Sequence, residues 1–536
     1  MNFIILAIFA IILGPNWIAE GYMKRKNYVT SAEEKMNLLD KDKELIILLN
    51  SYAVELENKI NELKGIAEEL KKPLKEAQGR EEEYLSHPLN RLSLILQMHE
   101  DWEPLVKLMQ QPVGQWPIGS IEKLRGELPM QDDVNEANHA MFRIIQAYGL
   151  EPKDVARGLL DGVQYSGGLS AKDCYAMGKF SFKAGYYQIA SKWLSTAKDL
   201  LIKQPRKYHE MIGVTKMDIT LLLARSLVAN ENISIARDIL MKDPMFNKTS
   251  KTLSMHFIKN PPKPTINLET WESGGSFSDL CRSASRKHSV VTNSTRLHCR
   301  YNSTTSPFIK LAPFRMEVLS LDPYIMLYHN VLSDFEIEKL EQMSEPFLER
   351  TTVFRAENGT EQVAPSRSAD GVWLPHRQTK PDDLKVLNRI ERRIADITGL
   401  NLHTGRQMQF MKYGFGGHFV PHHDYFDSKS SFLEEAGDRI ATVLFYLNNA
   451  DHGGATVFPQ LNLAVPTQKG SALFWHNLKG ESYDYDIKTF HGACPLISGN
   501  KLVMTRWIHE LDQMFLLPTV HPPRNCSFSR TLSKIT

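Results

Sequence analysis

The run Pro421-His422-His423-Asp424, followed by His491 67 residues after Asp424 and by Lys501 ten residues later, constrains this chain more than any other feature. On a strand, residues two apart point to the same side, so His422 and Asp424 can bind one ion while His423 faces away. A third ligand from His491, on another strand, completes a facial two-histidine, one-carboxylate set with three positions left open. Such a set suits non-haem Fe(II) that activates dioxygen. Lys501 discriminates further, because an ammonium on the adjoining strand can pair with the distal carboxylate of 2-oxoglutarate while the metal takes the keto acid end. Hydrolytic zinc is the competing chemistry, but no H-E-x-x-H motif supplies its general base.

The surrounding sequence fits that demand for strands. Segments 407–413, 439–447, 455–458, 471–475 and 502–508 are β-rich and punctuated by Gly and Pro, as expected for an antiparallel barrel or jelly roll. Two helices precede them. Ser333-Asp334-Phe335-Glu336 is a capping box opening one, and 382–398, closed by Gly399, is the other.

At 536 residues the chain is long enough for about three or four domains. Leu45, Leu49, Tyr52, Leu56, Ile60, Leu63, Ala67 and Leu70 recur at spacings of three and four until Pro73, which predicts an amphipathic helix with a near-heptad, coiled-coil period. Further on, 152–201 reads as helical, with Ala184-Gly185-Tyr186-Tyr187 opening a helix that carries Ala190, Trp193, Leu194 and Ala197. A second pair, 218–228 and 233–240, turns at Asn230-Glu231. Both pairs look like tetratricopeptide units, whose concave face is a peptide groove, and Tyr186 and Tyr187 are its candidate substrate contacts. The expected organisation is a multidomain α + β chain. Its parts are a signal peptide (1–21), a helical dimerisation region (22–140), a tetratricopeptide-like peptide-binding domain (141–243), a linker with a disulfide loop (244–309) and a double-stranded β-helix, or jelly roll, catalytic domain (310–536).

Compartment is read from the start of the chain. Residues 3–13 form an uncharged apolar run of 11, too short to span a bilayer but suited to a signal-peptide core, with cleavage expected after Gly21. No later stretch is long and apolar enough to span, so a soluble lumenal or secreted protein is expected. Sequons at Asn232, Asn247, Asn293, Asn302, Asn358 and Asn525 fit the secretory pathway and exposed loops. Five cysteines allow at most two internal disulfides, and Cys281 with Cys299 and Cys494 with Cys526 are the expected pairs, leaving Cys174 free. With 64 basic and 62 acidic residues, charge points to neither nucleic acid nor an anionic membrane.

The ligand residues, together with Tyr413-Gly414-Phe415-Gly416-Gly417, Arg439-Ile440-Ala441-Thr442, Gly453 through Pro459, Gly470 through Trp475, Cys494-Pro495 and Gly499-Asn500-Lys501, resemble the collagen-type prolyl 4-hydroxylase α subunits. These belong to the 2-oxoglutarate and Fe(II) dioxygenase superfamily. The resemblance implies 4-hydroxylation of peptidyl proline with succinate and carbon dioxide as co-products, and ascorbate to rescue oxidised iron. It also implies a proline-rich, collagen-like peptide substrate, protein disulfide isomerase as β subunit in an α2β2 tetramer, and residence in the endoplasmic reticulum lumen, with no nucleic acid partner. Tyr413 would then help Lys501 hold 2-oxoglutarate, while Arg439, Trp507 and His509 would line the peptide channel. Phe419 stands where the family usually has Tyr, near the substrate proline. Arg367-Ser368-Ala369 replaces its Arg-x-Ser, and no Tyr occurs between Tyr208 and Tyr301. A shifted substrate preference is the expected consequence. The rival expectations are a relative acting on lysine or on a noncollagen peptide, and a noncatalytic peptide-binding assembly subunit.

Overall fold

The computed structural model describes residues 32–203, 211–244, 246, 249–260, 263–266, 275–287, 299–355, 360–363, 366–402, 407–426, 437–479 and 484–513. The signal segment, Cys526 and the sequons at Asn247, Asn293, Asn358 and Asn525 lie outside them. The chain divides into two compact units, 1–134 and 135–536. No helix among the described residues is long and apolar enough to cross a membrane.

The first unit is helical. Its long helix α1 (Ala32–Ala77) follows the three-and-four spacing but runs through Pro73 instead of stopping there. One missing N–H does not outweigh the hydrogen bonds propagated on either side of it. Shorter helices follow: α2 (Pro88–Leu96), α3 (Trp102–Gln110) and α4 (Gln115–Leu124). Helix α5 (Gln131–Tyr148) opens the second unit's helical part.

There, successive helices pack on one another in chain order: α6 (Ala171–Lys183), α7 (Tyr187–Leu201), α8 (Lys216–Ala229) and α9 (Ile233–Met241). Capping boxes at Ser170 and Thr215 satisfy the first free N–H groups of α6 and α8. Ala190, Trp193, Leu194 and Ala197 form the buried face of α7, as their spacing predicts. Segment 244–309, expected as a linker, carries α10 (Ser250–Lys259) and α11 (Gly275–Lys287).

Among the described residues the β domain is built on one nine-stranded and one four-stranded sheet, with two further two-stranded pairs, 352–355 with 360–363 and 452–453 with 496–498. Strands β1 (Cys299–Asn302), β2 (Phe314–Leu321), β3 (Tyr324–His329), β4 (Glu349–Arg350), β5 (Asp370–Leu374), β6 (Met408–Tyr413), β7 (Phe419–His422), β8 (Arg439–Tyr446), β9 (Thr456–Phe458), β10 (Leu463–Val465), β11 (Ala472–His476), β12 (His491–Ala493) and β13 (Lys501–His509) follow in chain order. The large sheet runs β1-β2-β3-β11-β8-β13-β6-β5-β4 and the small one β7-β12-β9-β10. Period-two alternation decides which side chains face where. On β8, Ala441, Val443 and Phe445 enter the main core, under α12 (Asp334–Ser344) and α13 (Pro381–Thr398), while Thr442, Leu444 and Tyr446 face the other way. Both helices end as their sequences predict: Ser333 and Glu336 form the capping box of α12, and Gly399, at φ 71°, closes α13.

Helices α5 and α11 cover the outer face of the small sheet. Phe277, Leu280, Cys281 and Ala284 of α11 pack with Ile144 and Tyr148 of α5 against Val457 and Ala464. This arrangement corrects the expected disulfides. Cys281 bonds to Cys494, just after β12, across a Cα–Cα distance of 5.7 Å, while Cys299 is exposed and free on the edge strand β1 and Cys174 is buried and free. With a sequence separation of 213 in the bonded pair, Cys281→Ser or Cys494→Ser is expected to cost about 2 to 4 kcal/mol, read as a lower urea midpoint. Cys299→Ser should leave the midpoint unchanged, and a non-reducing peptide map joining Cys281 to Cys299 would overturn this pairing.

Asn302 is a second correction. It is only 5% exposed, and its amide donates to Thr305 Oγ1, the Tyr328 hydroxyl and the Ile397 carbonyl, so it is no exposed glycan acceptor in this fold. Asn232 begins α9, half-buried, with its amide donating to the Asn230 carbonyl.

Candidate active site

The small sheet brings the histidines together. Strands β7 and β12 pair antiparallel with His422 opposite His491, and Asp424 follows two residues after His422. One ligand atom from each of the three lies within 4.8 Å of the others. Asp424 Oδ1 is 3.6 Å from His422 Nε2, and its Oδ2 is 3.8 Å from His491 Nε2. Those spacings leave room for an ion between the three donors and are too long for direct hydrogen bonds.

Each imidazole is oriented from behind. His422 Nδ1 lies 2.9 Å from the Val420 carbonyl and His491 Nδ1 2.9 Å from the Thr489 carbonyl, so both donate there and turn an Nε2 lone pair inward. Burial pushes His491 down to about 4, despite the nearby Asp424, which keeps the ring neutral and able to ligate. Burial alone would raise Asp424, but the two histidines and a hydrogen bond from Thr442 hold its carboxyl well below the usual range. Two neutral imidazoles and one carboxylate, all preset, fit the donor set of non-haem iron.

The triad opens onto a cleft between the sheets. On β13 the alternate residues Lys501, Val503, Thr505 and Trp507 line it. Lys501 is 2% exposed and has no carboxylate partner among the described residues, and burial pushes its ammonium down to about 7. Its Nζ donates to Thr456 Oγ1 at 3.4 Å and sits 5.5 Å from the Tyr413 ring, Tyr413 being opposite it in the β6–β13 register. A buried cation without a partner is a binding site for an anion. Trp475 packs edge-on against His491 at 4.7 Å, and Phe458 lies 5.5 Å from the same ring, walling the metal positions with apolar surface.

The remaining expected site residues divide. Phe419 lines the cleft, stacked on His422 at 3.7 Å, with the Arg367 guanidinium 4.8 Å from its ring. Trp507 lines it too, and Arg439 stands behind, its guanidinium 4.1 Å from the Trp507 ring. His509 is buried beyond the cleft, with Nδ1 3.3 Å from the Gly437 carbonyl. Tyr186 and Tyr187 are at the start of α7, against Phe142 and Phe182 respectively, and do not line the cleft. Sequence reasoning gave no role to Thr442, Thr456 or Trp475, although each lies in a motif it singled out. The signal available was strand parity, which puts Thr442 on the same side as Leu444 and Tyr446.

Residues 408–509 match the 2OG-Fe(II) oxygenase superfamily, and 31–162 match the prolyl 4-hydroxylase α-subunit N-terminal region. The chain is 30% identical to prolyl 4-hydroxylase subunit alpha-1 of Rattus norvegicus over 92% of its own length and 95% of the rat subunit's. It belongs to the prolyl 4-hydroxylase α-subunit family. Identity is also 30% to subunit alpha-2 of Gallus gallus, over 94% of this chain and 96% of that one. It is 29% to subunit alpha-2 of Caenorhabditis elegans, over 91% and 92%. As in the family, the β domain is a 2-oxoglutarate-dependent dioxygenase, with His422, Asp424 and His491 arranged to hold Fe(II).

Proposed function

We propose that this prolyl 4-hydroxylase α subunit hydroxylates carbon 4 of proline in a proline-rich, collagen-like peptide, in the lumen of the endoplasmic reticulum. The observation that carries the reading is the metal-ligand triad and Lys501, which has no carboxylate partner among the described residues, facing one cleft. Bound Fe(II) would supply the dioxygen activation that couples 2-oxoglutarate decarboxylation to hydroxylation, with ascorbate returning oxidised metal to the ferrous state. The protein's own work is placement. Lys501, with Thr456 and Tyr413 beside it, takes the distal carboxylate of 2-oxoglutarate. Trp475 and Phe458 keep water from the reacting centre. Phe419 and Trp507 offer apolar walls to a proline ring, and Arg439 and His509 stiffen the wall that Trp507 belongs to.

Phe419 keeps the aromatic wall but lacks a phenolic hydroxyl, and Ala369 lacks the serine hydroxyl the family pattern carries, so peptide selectivity is where this subunit differs. The stacked helices α6 to α9 act as tetratricopeptide-like units whose groove, with Tyr186 and Tyr187, holds the peptide outside the catalytic cleft. In the first unit, Leu49 and Ile60 of the coiled-coil pattern are 61% and 49% exposed, and Trp116 is 66% exposed. Apolar surface of that extent on one helical unit calls for a covering partner. A second copy meets that need in an α2β2 assembly with protein disulfide isomerase.

The test is to incubate the purified complex with Fe(II), 2-oxoglutarate, ascorbate and a panel of proline-rich peptides, then locate the added oxygen by mass spectrometry. Oxygen on proline carbon 4 with stoichiometric succinate is expected. Oxygen on lysine, or succinate formation indifferent to every peptide, would reject the proline assignment.

A further inference from the structure

Asp424 has a partner that the family pattern does not explain. Thr442 is fully buried, and its hydroxyl donates to Asp424 Oδ2 at 2.7 Å. The same hydroxyl oxygen accepts from Asn477 Nδ2 at 3.1 Å, and that amide also donates to the Arg439 carbonyl at 3.1 Å. Asn477 is itself fully buried and fixed at both backbone groups, its N–H donating to the Ile440 carbonyl and its carbonyl accepting from the Asp486 N–H. The single hydroxyl proton has two acceptors in reach, Asp424 Oδ2 at 2.7 Å and Asn477 Oδ1 at 3.5 Å. The shorter one wins by a margin that leaves the second barely a hydrogen bond. Every proton in the chain is therefore directed one way, from Asn477 to Thr442 to the carboxylate.

We infer that Thr442 and Asn477 are positioning residues for the metal carboxylate, engaging Asp424 Oδ2 and fixing the carboxylate's rotation so that it offers the metal one bond and not two. A carboxylate free to rotate could clamp an ion with both oxygens, and that second bond would occupy a position the cosubstrates need. At 2.7 Å the bond from the hydroxyl to the carboxylate is charge-assisted, and such a bond is stronger than a neutral one. The inference rests on the metal site and is independent of which peptide is hydroxylated.

The test uses Co(II) as a probe, so that binding is read without turnover. In the full-length complex, Thr442→Val keeps the branched shape and removes the donor. It is expected to weaken Co(II) binding about 10- to 100-fold, as losses of outer partners do, and to change the Co(II) visible spectrum, which responds to coordination number. Thr442→Ser restores both. Asn477→Asp should resemble Thr442→Val, because a new acceptor beside the hydroxyl turns its proton away from Asp424. Melting of the metal-free proteins controls for folding, and if Thr442→Val does not melt cooperatively, Thr442→Ala is judged on the same two readouts. Co(II) affinity within twofold of the parent and an unchanged spectrum in a folded hydroxyl-deleted variant would overturn the inference.

Discussion

Replacing Asp424 or His491 by Ala is expected to abolish Fe(II)-dependent succinate release from 2-oxoglutarate, by at least about a thousandfold. Loss of a residue that merely orients a ligand costs about 10- to 100-fold in metal affinity or activity, and losing one of three ligands must exceed it. The two variants should nevertheless differ in their metal-free state. His491 is buried with Nδ1 on the Thr489 carbonyl and packs on Trp475, so His491→Ala opens a cavity beside an aromatic core. Asp424→Ala removes a smaller buried group and leaves the Thr442 hydroxyl with the weaker acceptor Asn477 Oδ1 at 3.5 Å. His491→Ala should therefore lower the melting temperature more. Succinate release that persists in Asp424→Ala at more than a few per cent of the parent rate, with added Fe(II), would remove the triad from the mechanism.

The residues that hold the metal were legible because strand parity and sequence spacing determine them locally. His422 and Asp424 share a face by being two apart, and Lys501 opens a strand that the sequence marked to within a residue, whereas the short strands carrying His422 and His491 were given no bounds. The helices α12 and α13 were equally legible, since a capping box and a left-handed Gly399 are local devices. What escaped depends on contacts between distant parts of the chain. Cys281 and Cys299 are near in sequence, but Phe277, Leu280, Cys281 and Ala284, spaced at three, one and three, make one apolar helix face that docks under β12 and delivers the thiol to Cys494. The Ser- and Arg-rich residues around that face masked its periodicity. Asn302 reads as a glycan acceptor until β1 is seen to carry its amide down onto the carbonyl at the end of α13. Thr442 was visible as part of a motif, but only the approach of Asp424 and Asn477 from two other segments gives its hydroxyl a task.

Lys501→Met should all but eliminate 2-oxoglutarate use while making the metal-free protein more stable. Both effects come from one buried cation with no carboxylate partner among the described residues. When 2-oxoglutarate binds, its distal carboxylate pairs with the ammonium, and truncating one side of a buried charge pair costs about 2 to 5 kcal/mol. That is a rise of roughly 30- to 5,000-fold in the 2-oxoglutarate dissociation constant. Without the ligand, the charge is a burden on folding. Burial holds Lys501 at about 7, below its unfolded value of 10.5, so the folded protein binds fewer protons between those limits and gains stability as pH rises through them. The penalty is fully present below pH 7 and gone above 10.5, and it is worth up to about 5 kcal/mol. Lys501→Met should therefore raise the metal-free melting temperature most near pH 6 and hardly at all near pH 10. Because pairing needs the protonated amine, 2-oxoglutarate binding above pH 7 should take up as much as one proton, measurable as a buffer-dependent heat in calorimetry. The same heat should vanish in Lys501→Arg, whose guanidinium stays charged. A Lys501→Met protein that binds 2-oxoglutarate normally, or that melts lower than the parent at pH 6, would place the cosubstrate's charge elsewhere in the cleft.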